Sequence, residues 1–117
     1  MQLLVKPIAI RELSEYANCM NTTGDPLVKA VVNISKRQII IGATMHVDEE
    51  EMFLDMESEQ VDLWGINLYP VWFGTDTFIE YDSMINLRPS QRNFSRSVEN
   101  SETQKIITDI VLSYVIN

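Results

Sequence analysis

One cysteine, one histidine, four glycines and four prolines are spread over 117 residues. Cys19 has no second cysteine to pair with, which excludes the disulfide framework of a small secreted domain. So little glycine and proline excludes collagen-like and low-complexity architectures, and no internal repeat or Pro/Gly/Ser-rich linker divides the chain. Positive charge is scarce as well: 9 Lys and Arg stand against 17 Asp and Glu, a formal net charge of −8. A surface of that sign repels a phosphate backbone, so broad nucleic-acid binding is excluded. Long hydrophobic runs are absent too. The longest uncharged, apolar-rich stretch, residues 63–74, has 12 residues and contains Gly, Asn and Pro, far below the roughly 20 needed to cross a bilayer. The apolar N-terminus carries Lys6 in its middle and runs into Arg11 and Glu12, unlike a signal peptide. A cytoplasmic protein without a membrane partner is expected.

What is present is the composition of a globular protein, 45% hydrophobic and 22% charged. A chain of this length buries roughly two-thirds of its unfolded surface, enough to fold as one α+β domain over residues 1–117 without a cofactor. Residues 2–6 read as a strand. Ile10, Leu13, Ala17 and Met20 recur at helical spacing, predicting a helix over 10–20 that ends at Asn21-Thr22-Thr23-Gly24-Asp25-Pro26. Ala30, Val32 and Ile34 alternate with Lys29, Val31 and Asn33, and the β-branched run at 39–47 predicts a central strand with His46 at its end. The four residues Ser35 to Gln38 suit an antiparallel hairpin. Asp48 and Glu51 form an acidic capping box for a helix over 49–58. Trp64, Ile66 and Leu68 form one apolar row and Ile79, Tyr81, Ile85 and Leu87 another, which predicts two paired strands with Ile66 near Ile79 and Trp64 near Tyr81. In that register Gly65 faces Glu80, and Asn67 faces Phe78. Ser101 to Gln104 is a Ser-x-x-Gln box opening an amphipathic helix. The expected order is β-α-β-β-α-β-β-α, an antiparallel sheet of four to five strands with helices on one face.

Eight acids and no base fall in residues 48–62. Their expected role is a solvated helix whose positive N-terminal end they stabilise; His46 and Asp48, with Glu49 or Glu51, are the metal-ligand candidates by residue type. The opposite feature is the loop Arg88-Pro89-Ser90-Gln91-Arg92-Asn93-Phe94-Ser95-Arg96-Ser97, with three arginines and no acid. Guanidinium groups with amide and hydroxyl donors suit bidentate capture of a carboxylate or phosphate; the competing expectation is that Arg88, Arg92 or Arg96 pairs with Glu80, Asp82 or the acidic helix. Asp82, Asn86, Arg88 and Glu80 form a polar row that is either a solvent face or a wall of a site. No Gly-x-Ser-x-Gly elbow, phosphate loop or Cys/His cluster is present, and Cys19 is expected to be structural.

The segments Asp62-Leu63-Trp64-Gly65-Ile66-Asn67-Leu68-Tyr69-Pro70 and Phe78-Ile79-Glu80-Tyr81-Asp82-Ser83-Met84-Ile85-Asn86-Leu87-Arg88-Pro89-Ser90-Gln91 resemble a family of small, uncharacterised bacterial and archaeal proteins classed as a domain of unknown function. The likeness covers nearly the whole chain, including His46-Val47-Asp48-Glu49-Glu50 and the loop over 93–99. It implies a cytosolic, prokaryotic-type protein and no particular activity, and it draws attention to His46, Asp48, Asn67, Asp82, Asn86 and Arg88. Glycines are usual in that family near Arg92 and Ser97, so the resemblance implies a stiffer loop here.

The leading expectation is a binding module that engages an anionic group on a ligand or protein partner through Arg88, Gln91, Arg92, Asn93, Ser95 and Arg96, with Asn67, Asp82 and Asn86 beside them. The alternative is a small hydrolase or metal-assisted enzyme built on His46, Asp48, Asp82 and Arg88. A third is a homodimer formed through exposed Trp72 and Phe73.

Overall fold

The computed structural model describes residues 1–17 and 24–117. The expectations placed on Cys19, on Met20 and on Asn21, Thr22 and Thr23 lie outside the described residues.

The chain is α+β: a five-stranded antiparallel sheet with three helices. In chain order come β1 (Gln2–Leu3), β2 (Ile8–Ala9), α1 (Ile10–Ser14), β3 (Val28–Asn33), β4 (Gln38–Ile41), α2 (His46–Asp55), β5 (Leu63–Leu68), β6 (Ile79–Glu80), α3 (Ser101–Tyr114) and β7 (Val115–Ile116). The sheet order is β1-β4-β3-β5-β6, and β2 pairs with β7 in a separate parallel ribbon. The middle strand is therefore β3, with the run after residue 38 beside it as β4. The hairpin forms as the spacing predicts, pairing Ala30 with Ile41 and Asn33 with Gln38. Asn33 shapes its turn, its Oδ1 accepting from the amides of Ser35 and Lys36 at 3.0 and 2.9 Å, the side-chain mimic of a backbone turn.

Strand alternation sends Val28, Ala30, Val32, Ile39, Ile41, Trp64, Ile66 and Leu68 to one face, where they pack with Leu13 of α1 and Ile107, Ile110 and Val111 of α3. Val31, Ile40 and Leu63 point the other way and meet Phe53 of α2. The helices thus cover both faces of the sheet rather than one, because Val31, Ile40 and Leu63 leave an apolar patch on the second face that α2 covers through Phe53. The second cover is partly polar: His46, Glu49 and Glu50 are buried on α2 together with Phe53. The acidic helix is solvated only along its outer side.

Several boundaries differ from the periodic reading. The strand expected over residues 2–6 is only Gln2–Leu3, β2 lies beyond it at Ile8–Ala9, and α1 stops at Ser14. His46 opens α2 instead of closing a strand, and Met45 is the N-cap, with no side-chain cap hydrogen bond, so Asp48 is a first-turn residue and not a cap. On α3 the cap is Asn100, whose side chain accepts from the Thr103 amide, one residue before the Ser101 expected. The fourth long strand is reduced to Ile79–Glu80, followed by 3₁₀ turns at Met84–Asn86 and Pro89–Gln91. Its register pairs Asn67 with Glu80 and Leu68 with Ile79, two residues from the expected alignment. A two-residue shift keeps every side chain on its face, so Ile79 and Tyr81 still join the core. Phe73 is half-buried, packed edge-on against Phe78 at 5.1 Å between ring centroids, and Trp72 is exposed. No described helix is long and apolar enough to cross a membrane.

Candidate functional site

Once the chain leaves the sheet after Glu80, part of β5 has no strand beside it. Its backbone groups still require partners, and side chains supply them. Asn86 accepts from the Gly65 amide through Oδ1 at 2.8 Å and donates from Nδ2 to the Gly65 carbonyl at 2.9 Å, acting as one residue of a missing strand. Arg88 donates to the carbonyls of Gln60 and Leu63, and its guanidinium carbon lies 4.3 Å from the centre of the Trp64 ring. Burial pulls the Arg88 pKa down from its ordinary value, and Glu50 opposes that shift. Gly65 admits this arrangement, since a Cβ there would stand 2.6 Å from both Cβ and Oγ of Ser83.

The arginine loop is held as firmly. The Asn93 amide donates to the carbonyls of Asn86 at 2.7 Å and Ser97 at 2.6 Å, and its Oδ1 accepts from the Glu99 amide at 2.9 Å. Gln91 donates to the Val61 carbonyl at 3.0 Å, and the Ser95 hydroxyl to Glu99 at 2.8 Å. Arg96 pairs with Asp82 at 2.7 Å. Asn67 donates to Glu80 at 2.8 Å, and Tyr69 donates to the same oxygen at 3.0 Å. Of the nine residues that the sequence marks for binding, Arg92 is the one whose side chain has no partner among the described residues. It is exposed, with φ at 58°, the left-handed backbone ordinarily left to glycine.

Arg92 stands at a groove of about 450 Å³ lined also by Ile34, Val61, Trp64, Gln91 and Asn93 and by Glu99, Asn100 and Thr103 at the start of α3. The Trp64 indole N–H is buried with no acceptor among the described residues. Sequence reading placed Trp64 in the core row and the helix start at Ser101, so it missed the indole, Asn100 and Thr103 as one wall. The signal available was the polar run Glu99-Asn100-Ser101 beside a basic loop.

A second polar region lies under α2. His46 is buried with Nε2 2.7 Å from the Ile66 carbonyl, so Nε2 carries the proton and Nδ1 the lone pair. Burial lowers the His46 pKa to about 4; Lys29 and Arg96 push the same way, and the Ile66 carbonyl and Asp82 oppose them. Three residues along α2, Glu49 is raised to about 9 by burial, although its Oε2 accepts from the Ala43 amide at 3.0 Å. The structure thus brings Asp82 within electrostatic range of His46. It does not bring Asp48, which is exposed in another cleft with Glu51 and Asp55, and Arg88 is not among the charges acting on His46. No group of three or more His, Cys, Asp or Glu among the described residues is arranged to hold a metal ion.

A family model described as a protein of unknown function, DUF5674, matches residues 2–114. The chain belongs to the DUF5674 family. Both the groove beside Arg92 and the polar layer under α2 fall inside the segment that DUF5674 covers. No curated protein matches the chain, and no solved structure does.

Proposed function

We propose that this DUF5674 chain is a binding module that captures an anionic group at its arginine loop, residues 88–96, with Arg92 as the capturing side chain. The observation that carries the reading is the division of labour among the three arginines. Arg88 is committed to carbonyls and Arg96 to Asp82. Arg92 is held at the groove mouth by a loop fixed through Asn93, at the cost of a left-handed backbone, and its guanidinium is unspent. A fixed loop presenting a free guanidinium loses little backbone entropy on binding, which leaves the rotamers of one side chain as the ordering cost.

Titration calorimetry with carboxylate- and phosphate-bearing ligands tests this. The wild type is expected to bind at least one class, Arg92→Ala to weaken it by about tenfold or more, as befits loss of a charge-assisted hydrogen bond, and Arg96→Ala to change it less than about twofold. No binding of either class by the wild type sinks the reading.

A further inference from the structure

Resting on that reading, we propose that the groove selects a monocarboxylate carried on an apolar body. The carboxylate sits at Arg92, and the body lies against Val61, Ile34 and the Trp64 indole. Four observations lead there. Among the described residues Arg92 is the one cation lining the groove, and a single guanidinium matches a carboxylate edge to edge. Glu99 lines the same groove, its carboxylate already taking the Phe94 amide and the Ser95 hydroxyl at 2.8 Å each. Its negative charge, on a chain of net −8, tells against a phosphate dianion more than against a monoanion. The walls at Ile34, Val61 and Trp64 are apolar, Val61 being 56% exposed, and a groove of about 450 Å³ is of small-ligand size. Finally, Trp64 is 94% buried by its 6% exposure, and its N–H finds no acceptor among the described residues. A buried donor without an acceptor is uncommon and unfavourable; the N–H has no solvent contact, so pairing it with a ligand oxygen requires the indole to turn towards the groove, a movement its signal would report. The positive end of α3, at Asn100 and Thr103, adds to the attraction for an anion.

The same chemistry is offered by a free organic acid and by the terminal carboxylate of a peptide ending in an apolar residue, and one experiment separates them. The nitrogen-15-labelled chain is titrated while its two indole N–H signals are followed, with Trp72→Phe used to assign the Trp64 signal. The probes are phenylacetate, acetate, phenyl phosphate and a pentapeptide ending in Phe, with its carboxyl free or amidated. Phenylacetate is expected to move the Trp64 signal and to bind about tenfold more tightly than acetate or phenyl phosphate. Arg92→Gln, at an exposed position, is expected to keep the amide spectrum and to weaken phenylacetate about tenfold. A free-carboxyl peptide that binds more tightly than phenylacetate upholds the proposal and makes a chain terminus the source; the reverse order upholds it and makes the source a small acid. Phenyl phosphate binding more tightly than phenylacetate, still through Arg92, overturns the carboxylate assignment and leaves the anion-binding reading standing. A Trp64 signal that stays fixed while phenylacetate binds overturns the placement, as does an amidated peptide that binds as well as the free one. No Arg92-dependent binding of any probe removes both.

Discussion

Asn86 is fully buried, and both ends of its amide face the backbone of Gly65, with a further bond from Nδ2 to the Arg96 carbonyl at 3.0 Å. Truncation removes three hydrogen bonds, each worth about 1 kcal/mol, and leaves the Gly65 amide and carbonyl unpaired in a dry place, while the Arg96 carbonyl keeps the Ser83 amide at 3.0 Å. Asn86→Ala is therefore expected to cost about 3 kcal/mol in urea unfolding. Asn86→Asp is expected to be no better, since a carboxylate can take the Gly65 amide but meets the Gly65 carbonyl with a second acceptor. Gly65→Ala is expected to cost about 1–3 kcal/mol through overpacking, and adding Ser83→Gly to recover part of that loss, because Ser83 is the nearest atom group to the new methyl. A double-mutant cycle reads the coupling, and strict additivity would contradict the close approach. Neither residue announces this role in the sequence. Asn86 alternates with Ile85 and Leu87 just as a solvent-facing strand residue would, and nothing local distinguishes a side chain facing water from one replacing a missing strand.

Elements were legible in proportion to how much of their stability comes from an apolar period. The apolar rows of β3, β4 and β5 are buried, so the strands follow from their apolar pattern and the β3–β4 hairpin from its four-residue connection, whereas the β3–β5 pairing carries no local signal. The alternation over residues 79–88 looks the same but pairs as a strand only at Ile79–Glu80 and turns as a 3₁₀ helix at Met84–Asn86, since a chain anchored by Asn86 and Arg88 no longer needs a ladder. The ends of α2 and α3 were misplaced because capping patterns are dense there and several polar residues compete for one position. That competition is testable on α3. Asn100→Ala is expected to cost about 1 kcal/mol, the usual value of an N-cap, and Ser101→Ala no more than a few tenths, as the Thr103 amide bonds to Asn100 at 3.0 Å. Equal losses in thermal or urea unfolding would mean that Ser101 shares the cap.

At the scale of the whole molecule, α2 sets two opposing pH dependences. The Glu49 pKa rises from 4.5 to about 9 in the fold, so between those values the folded chain holds a proton that the unfolded chain releases. Its contribution is complete below pH 4.5 and is lost as pH climbs towards 9. The His46 pKa falls from 6.5 to about 4, so its contribution is complete above pH 6.5 and is lost as pH drops towards 4. Between 4.5 and 6.5 the two slopes cancel. Above 6.5 only Glu49 acts, and 2.5 pH units at about 1.4 kcal/mol each amount to a loss of roughly 3 kcal/mol by pH 9. Below 4.5 only His46 acts, over half a unit. These two groups therefore predict a chain most stable near pH 5–6 with its larger loss on the alkaline side. Urea midpoints of wild type, Glu49→Gln and His46→Gln across pH 4–9 separate the contributions. Glu49→Gln is expected to flatten the alkaline limb and leave stability rising from pH 4 to 6.5. His46→Gln is expected to unmask the Glu49 slope, so that stability rises as pH falls from 6.5 to 4.5. An alkaline limb unchanged in Glu49→Gln would mean that the buried carboxyl is ionised in the fold, and α2 would then rest on a charge paired with Lys29 rather than on a neutral acid.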